Sequence, residues 1–220
     1  NDVRKNGDST VKKYERKFNG RKTSQLRVSA KEIKEAHCTE VESNALEFSA
    51  SLLKKSSGLI VQGAAEFYKD NREFDTTTVY DYIHQEVGSI VSPASWQMQT
   101  PEIWIDSHTK LVPIPSVGCY IPGGQARYPS SVAMSVVPAK MAGVKRIVVV
   151  SPPGRNGKID PLTIVAAREL GITEIYKVGG AQAIGALAYG TKSIPKVDKI
   201  VGPGGKFISI AKSLVSDQTA

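Results

Sequence analysis

Three histidines and two cysteines are the side chains of this sequence best suited to nucleophilic or metal chemistry, and their spacing supports neither. His37-Cys38 lies near Glu40 and Glu42, but on a charged helical stretch that reads as ordinary surface. His84 and His108 fall in irregular segments, and Cys119 has no neighbouring His to activate it. Cys38 and Cys119 are far apart with no CxxC spacing, so neither a disulfide framework nor a zinc knuckle is indicated. No Ser-His-Asp arrangement or carboxylate pair can be read. By its own residues this chain binds.

What it offers a ligand is a series of glycine-bearing turns. Val117-Gly118-Cys119-Tyr120-Ile121 stops at Pro122-Gly123-Gly124. Ile147 to Val150 stops at Ser151-Pro152-Pro153-Gly154, Ile175 to Val178 at Gly179-Gly180, and Lys199 to Val201 at Gly202-Pro203-Gly204-Gly205. Helical patterns follow at 131–142, 160–170, 181–189 and 207–215. Four strand-helix alternations predict an α/β fold with a parallel, Rossmann-like sheet and right-handed crossovers. In such sheets anionic ligands meet helix N-termini at the strands' carboxyl ends. All four turns are expected at that edge.

Two near-motifs are weaker than they look. Gly180 to Gly185 has the outer spacing of a P-loop, but Ala186 stands where Lys is required. Gly202-Pro203-Gly204-Gly205-Lys206-Phe207 begins like a dinucleotide fingerprint, yet Phe207 occupies the third glycine position.

The elements before this half are mostly helical. Residues 1–27 are polar, with Tyr14 and Phe18 as docking residues on a short helix. Ser29-Ala30-Lys31-Glu32 has capping-box spacing and opens a helix carrying Ile33, Ala36 and Val41. A longer helix with Leu46, Ala50, Leu53, Ile60 and Ala64 follows, and short strands are expected at 103–105 and 111–114. The boundary falls at Pro115-Ser116, giving a helical segment over 1–116, part of a second α/β domain, and a Rossmann-like domain over 117–220.

Charge divides the same way. The chain carries 29 Lys+Arg and 21 Asp+Glu; residues 1–117 hold 16 of each, so 118–220 hold 13 against 5. That field suits an anionic dinucleotide. No nucleic-acid motif or aromatic platform accompanies it, so no nucleic-acid partner is expected. Hydrophobic content of 40% and 220 residues suffice for a real core. No apolar run approaches a membrane span and no signal peptide is visible, so a cytoplasmic protein without a membrane partner is expected.

The run from Val117 to Gly124, then Tyr128-Pro129-Ser130-Ser131-Val132, Pro138 to Val144, Ser151-Pro152-Pro153, Val178 to Ile184 and Ser193 to Gly204 resembles histidinol dehydrogenase. The resemblance implies oxidation of L-histidinol to L-histidine through the aldehyde, with two hydride transfers to NAD. It also implies a zinc-dependent homodimer whose subunit holds two incomplete Rossmann-like domains, the first assembled from segments before and after the glycine-rich one. The NAD contacts it implies are a Tyr in Tyr-Ile-Pro-Gly-Gly, matched by Tyr120, and a Gln in Gly-Gly-Ala-Gln, matched by Gln182. The third is an Asn directly after Gly-Pro-Gly, where this chain has Gly205, so weaker or altered NAD binding is expected rather than none. The family's catalytic Glu-His pair and its zinc ligands lie beyond the C-terminal end of this sequence, which therefore reads as a fragment or a truncated form. A relative acting on another small alcohol and a non-catalytic nucleotide-binding module are the alternatives.

Overall fold

The computed structural model describes residues 2–20, 25–69, 112–123 and 127–219. Its centre is a four-stranded parallel sheet: β1 (Ser116–Tyr120), β2 (Arg146–Ser151), β3 (Ile175–Lys177) and β4 (Lys199–Val201). The strand order is β3-β2-β1-β4. The chain thus runs outward from β1 to β3 and then returns to the far side of β1, which makes the β1/β4 junction the topological switch point.

The sequence explains why the sheet is buried on both faces. Side chains alternate along each strand. Val117, Cys119, Ile147, Val149 and Ile175 join one apolar cluster. Tyr120, Val148, Val150, Tyr176 and Ile200 join the other. Apolar residues at both parities are what a parallel sheet between helical layers needs.

Helices cover the two faces. On the first lie α2 (Ala30–Glu35), α4 (Pro129–Met141) and α5 (Pro161–Glu169). On the second lie α1 (Asp2–Asn19), α6 (Gly180–Tyr189) and α7 (Lys206–Ser213). α3 spans Glu40–Lys69 and sends Leu46, Ala50 and Leu53 against the first cluster. Residues up to 58 pack in one compact unit with those from 113 onward, so much of the N-terminal segment packs with the sheet.

That packing is specific. Val28 N–H donates to the Ile175 carbonyl and Lys177 N–H to the Leu26 carbonyl, laying residues 26–28 antiparallel along the outer edge of β3. The Ser29 capping box forms as expected, and Glu32 also accepts from Lys177 Nζ at 2.7 Å. Arg168 donates to the Ala36 carbonyl at 2.9 Å, satisfying the end of α2.

Several N-terminal expectations are corrected. α2 ends at Glu35, and Val41 belongs to α3, where it is exposed. A second capping box causes the break: Thr39 Oγ1 accepts from Glu42 N–H while Glu42 accepts from Thr39 N–H. Ile60 is exposed rather than on the packed stripe. Phe18 also stays largely exposed in the last turn of α1, whereas Tyr14 donates to Asp2 at 2.8 Å. α1 is longer than expected and is interrupted at Gly7. Residues 112–114 form no strand; Pro113 and Pro115 remove the donors a ladder would need. The strand expected at 103–105, Leu111, His84, His108 and Gly124 lie outside the described residues.

Candidate functional site

The carboxyl ends of β1, β3 and β4 carry the residues singled out from the sequence. Tyr120 is the last residue of β1, Gln182 lies in the first turn of α6 after β3, and Gly205 is the N-cap of α7 after β4. Close backbone approach holds this edge together. A Cβ at Gly202 would overlap the Tyr120 carbonyl oxygen, and its φ of 108° is one that side-chain-bearing residues avoid. A Cβ at Gly179 would overlap the Pro152 ring at the end of β2. Lys212 Nζ, reaching back from α7, donates to the Gly202 carbonyl at 2.7 Å, and burial lowers the pKa of this ammonium.

The β3–α6 turn is where two predicted residues come together. Gly180 N–H donates to the Tyr120 hydroxyl at 3.3 Å. Burial, with Glu15 nearby, pushes the Tyr120 phenol above its ordinary pKa although the Gly180 N–H works against this. The ring is therefore a neutral phenol at physiological pH. Gln182 is 4% exposed. Its Nε2 donates to Glu15 Oε1 at 2.8 Å, and Gly179 N–H donates to the same oxygen at 2.8 Å.

Glu15 escaped the sequence reading. It is fully buried and comes from α1, which packs on α6. A signal was present, because Glu15 is four residues beyond Val11 and so continues the apolar face that packs α1 on α6. A carboxyl at a core position of an amphipathic helix needs donors, and the turn supplies them. Asp8 ties the same helix to the loop before β4 by accepting from Ser193 Oγ at 2.6 Å.

The four strand-end turns are chemically unequal. The N-terminus of α6 already points two of its amides at Tyr120 and Glu15. α5 is capped by Asp160, which accepts from Leu162 N–H at 3.0 Å and also holds Arg127. α7 has no side-chain cap, and nothing lies within 4 Å of a Cβ built at Gly205. Its Lys206 and Phe207 amides precede the first bond of the helix, from Ile208 N–H to the Gly205 carbonyl, and α4 after β1 likewise has no side-chain cap. A cleft of ≈ 370 Å³ beside the β2–α5 turn is lined by Gly123, Ser151, Arg155, Lys158 and Thr163, among others.

Cys119 and His37 take no part. Cys119 is wholly buried in β1, and desolvation pushes its thiol up to about 12, so it is not a nucleophile. His37 is exposed, and Glu42 beside it is engaged with Thr39 and, at 2.7 Å, with Arg127. Among the described residues, no three His, Cys, Asp or Glu side chains gather to hold a metal. Also among the described residues, no helix is long and apolar enough to cross a membrane.

The family model described as histidinol dehydrogenase matches residues 1–220. The chain belongs to the histidinol dehydrogenase family. A family member from Bacillus licheniformis is 42% identical over 217 residues, covering 99% of this chain and 44% of that protein. One from Methanococcus maripaludis is 41% identical over 214 residues, covering 97% and 43%. Among solved structures, the crystal structure of histidinol dehydrogenase from Elizabethkingia anophelis aligns with a TM-score of 0.72 at 30% identity. That alignment covers 100% of this chain and 44% of the other. The chain thus spans less than half the length of these family members.

Proposed function

We propose that this chain is the NAD-binding portion of a zinc-dependent histidinol dehydrogenase that oxidises L-histidinol to L-histidine through L-histidinal. The observation that carries the reading is the convergence of Tyr120 and Gln182 on one turn at the carboxyl edge of a parallel sheet, beside the open α7 N-terminus. NAD, when bound, supplies the hydride acceptor. This chain's part is to bind and orient it. The neutral Tyr120 hydroxyl and the Gln182 carboxamide offer directional hydrogen bonds, and the uncapped α7 amides suit an anionic group. The excess of Lys and Arg after residue 117 adds long-range attraction.

No described cluster of side chains fits zinc, so no step on this chain is assigned to the metal. The catalytic Glu-His pair and the zinc ligands belong, in this reading, to sequence beyond the residues given. The homodimer and the cytoplasmic setting are part of the same proposal. Calorimetric titration of NAD into the chain tests it. Saturable binding that Gln182→Ala weakens is expected, with no NADH formed from L-histidinol and zinc by the chain alone. Absence of NAD binding would overturn it.

A further inference from the structure

We propose that Glu15 is a positioning residue for the cofactor turn, fixing from α1 both the backbone at Gly179 and the orientation of the Gln182 carboxamide. The inference rests on reading that turn as part of the NAD site. Glu15 is fully buried, and its Oε1 receives Gly179 N–H and Gln182 Nε2 at 2.8 Å each. Oε1 already accepts from the Gly179 amide, so Gln182 turns its NH₂, not its oxygen, toward it. The opposite end of the amide follows. Gln182 Oε1 then lies over the turn, close enough to Gly180 that a Cβ there would sit 2.8 Å away.

Gln182 is therefore presented to a ligand as an acceptor. The partner it selects is a hydroxyl or amide N–H donor, such as a ribose hydroxyl or the carboxamide of a nicotinamide. Without Glu15 the amide could rotate by half a turn and offer its NH₂ at the same place. The Gly179 amide, facing a buried helix rather than water, would also lose its acceptor. Glu15 thus acts through Gln182 and the turn, without touching the ligand.

The test uses the whole chain and NAD as the probe. Glu15→Ala is expected to raise the NAD dissociation constant about tenfold, the size of one well-placed hydrogen bond to a ligand. Adding Gln182→Ala to that variant should cost little more, because the two act as a unit. Glu15→Gln keeps an accepting oxygen and should bind within about threefold of the unaltered chain. Exchange of the Gly179 amide proton should accelerate in Glu15→Ala and stay slow in Glu15→Gln. Unchanged NAD affinity in Glu15→Ala, or fully additive losses in the double variant, would overturn the inference while leaving the NAD reading intact. So would a loss in Glu15→Gln as large as about tenfold against the unaltered chain, and this arm holds even if the alanine variant folds poorly. An unaltered chain that binds no NAD would sink the functional reading and this inference together.

Discussion

The turn after β3 and the turn after β4 share a signature and have opposite chemistry. Each follows a three-residue strand, contains adjacent glycines and opens a helix. At α6 the leading amides are taken by Glu15 and Tyr120. At α7 they have no side-chain cap. At the first turn the acceptor comes from α1, more than 160 residues upstream. A glycine signature thus states where backbone is bare; what occupies it is decided by tertiary neighbours.

The largest test of that contrast breaks the β4 turn. Gly202→Ala should cost about 3 kcal/mol, since a left-handed φ and overlap with the Tyr120 carbonyl act together. Urea unfolding would measure it, and a loss below about 1 kcal/mol would show that the turn can relax.

A medium effect concerns the attachment that delivers the N-terminal segment to β3. Ionised Glu32 pairs with Lys177 and accepts from Ser29, and although burial works the other way, its pKa is lowered. A depressed carboxyl contributes stability above its unfolded value near 4.3, and loses it as pH falls through the lower folded value. Glu32→Gln should therefore cost about 0.5–1 kcal/mol at pH 7, and the gap to the unaltered chain should close on titration from pH 5 to pH 3. A gap that stays constant with pH would place the cost in the cap alone.

The smallest effect makes the open turn resemble the filled one. Gly205→Asn has room for its side chain, and an Asn N-cap should stabilise α7 by only a few tenths of a kcal/mol over Gly. Its effect on NAD should be larger, a tighter dissociation constant, and an unchanged constant would remove Gly205 from the site.

Much of this could be read in advance. Strands ending at Pro and Gly, with apolar residues at both parities, announced the parallel sheet, and all four strands lie where expected. Tyr120 and Gln182 were singled out by the family resemblance, and the glycine-bearing turns alone named only the edge they occupy. The rest was hidden for physical reasons. The Thr39–Glu42 capping box was visible in type and spacing, yet the apolar positions on either side read as one helix through it. Glu15 looked like one of many charges on a polar helix, because burial depends on which face meets α6. The antiparallel edge at residues 26–28 is too short to show any period.

Residues 26–28 and Glu15 also set a timetable. Glu15 meets Gly179 across 164 residues, and Glu32 meets Lys177 across 145. At synthesis rates of about 5–20 residues per second, these partners emerge roughly 7–33 s after the segment that needs them. During that interval Val3 and Val11 have no α6 to cover them, and the chain is at its most vulnerable to misassembly. The β3–α6 turn and its buried carboxyl are consequently among the last parts of this unit to close.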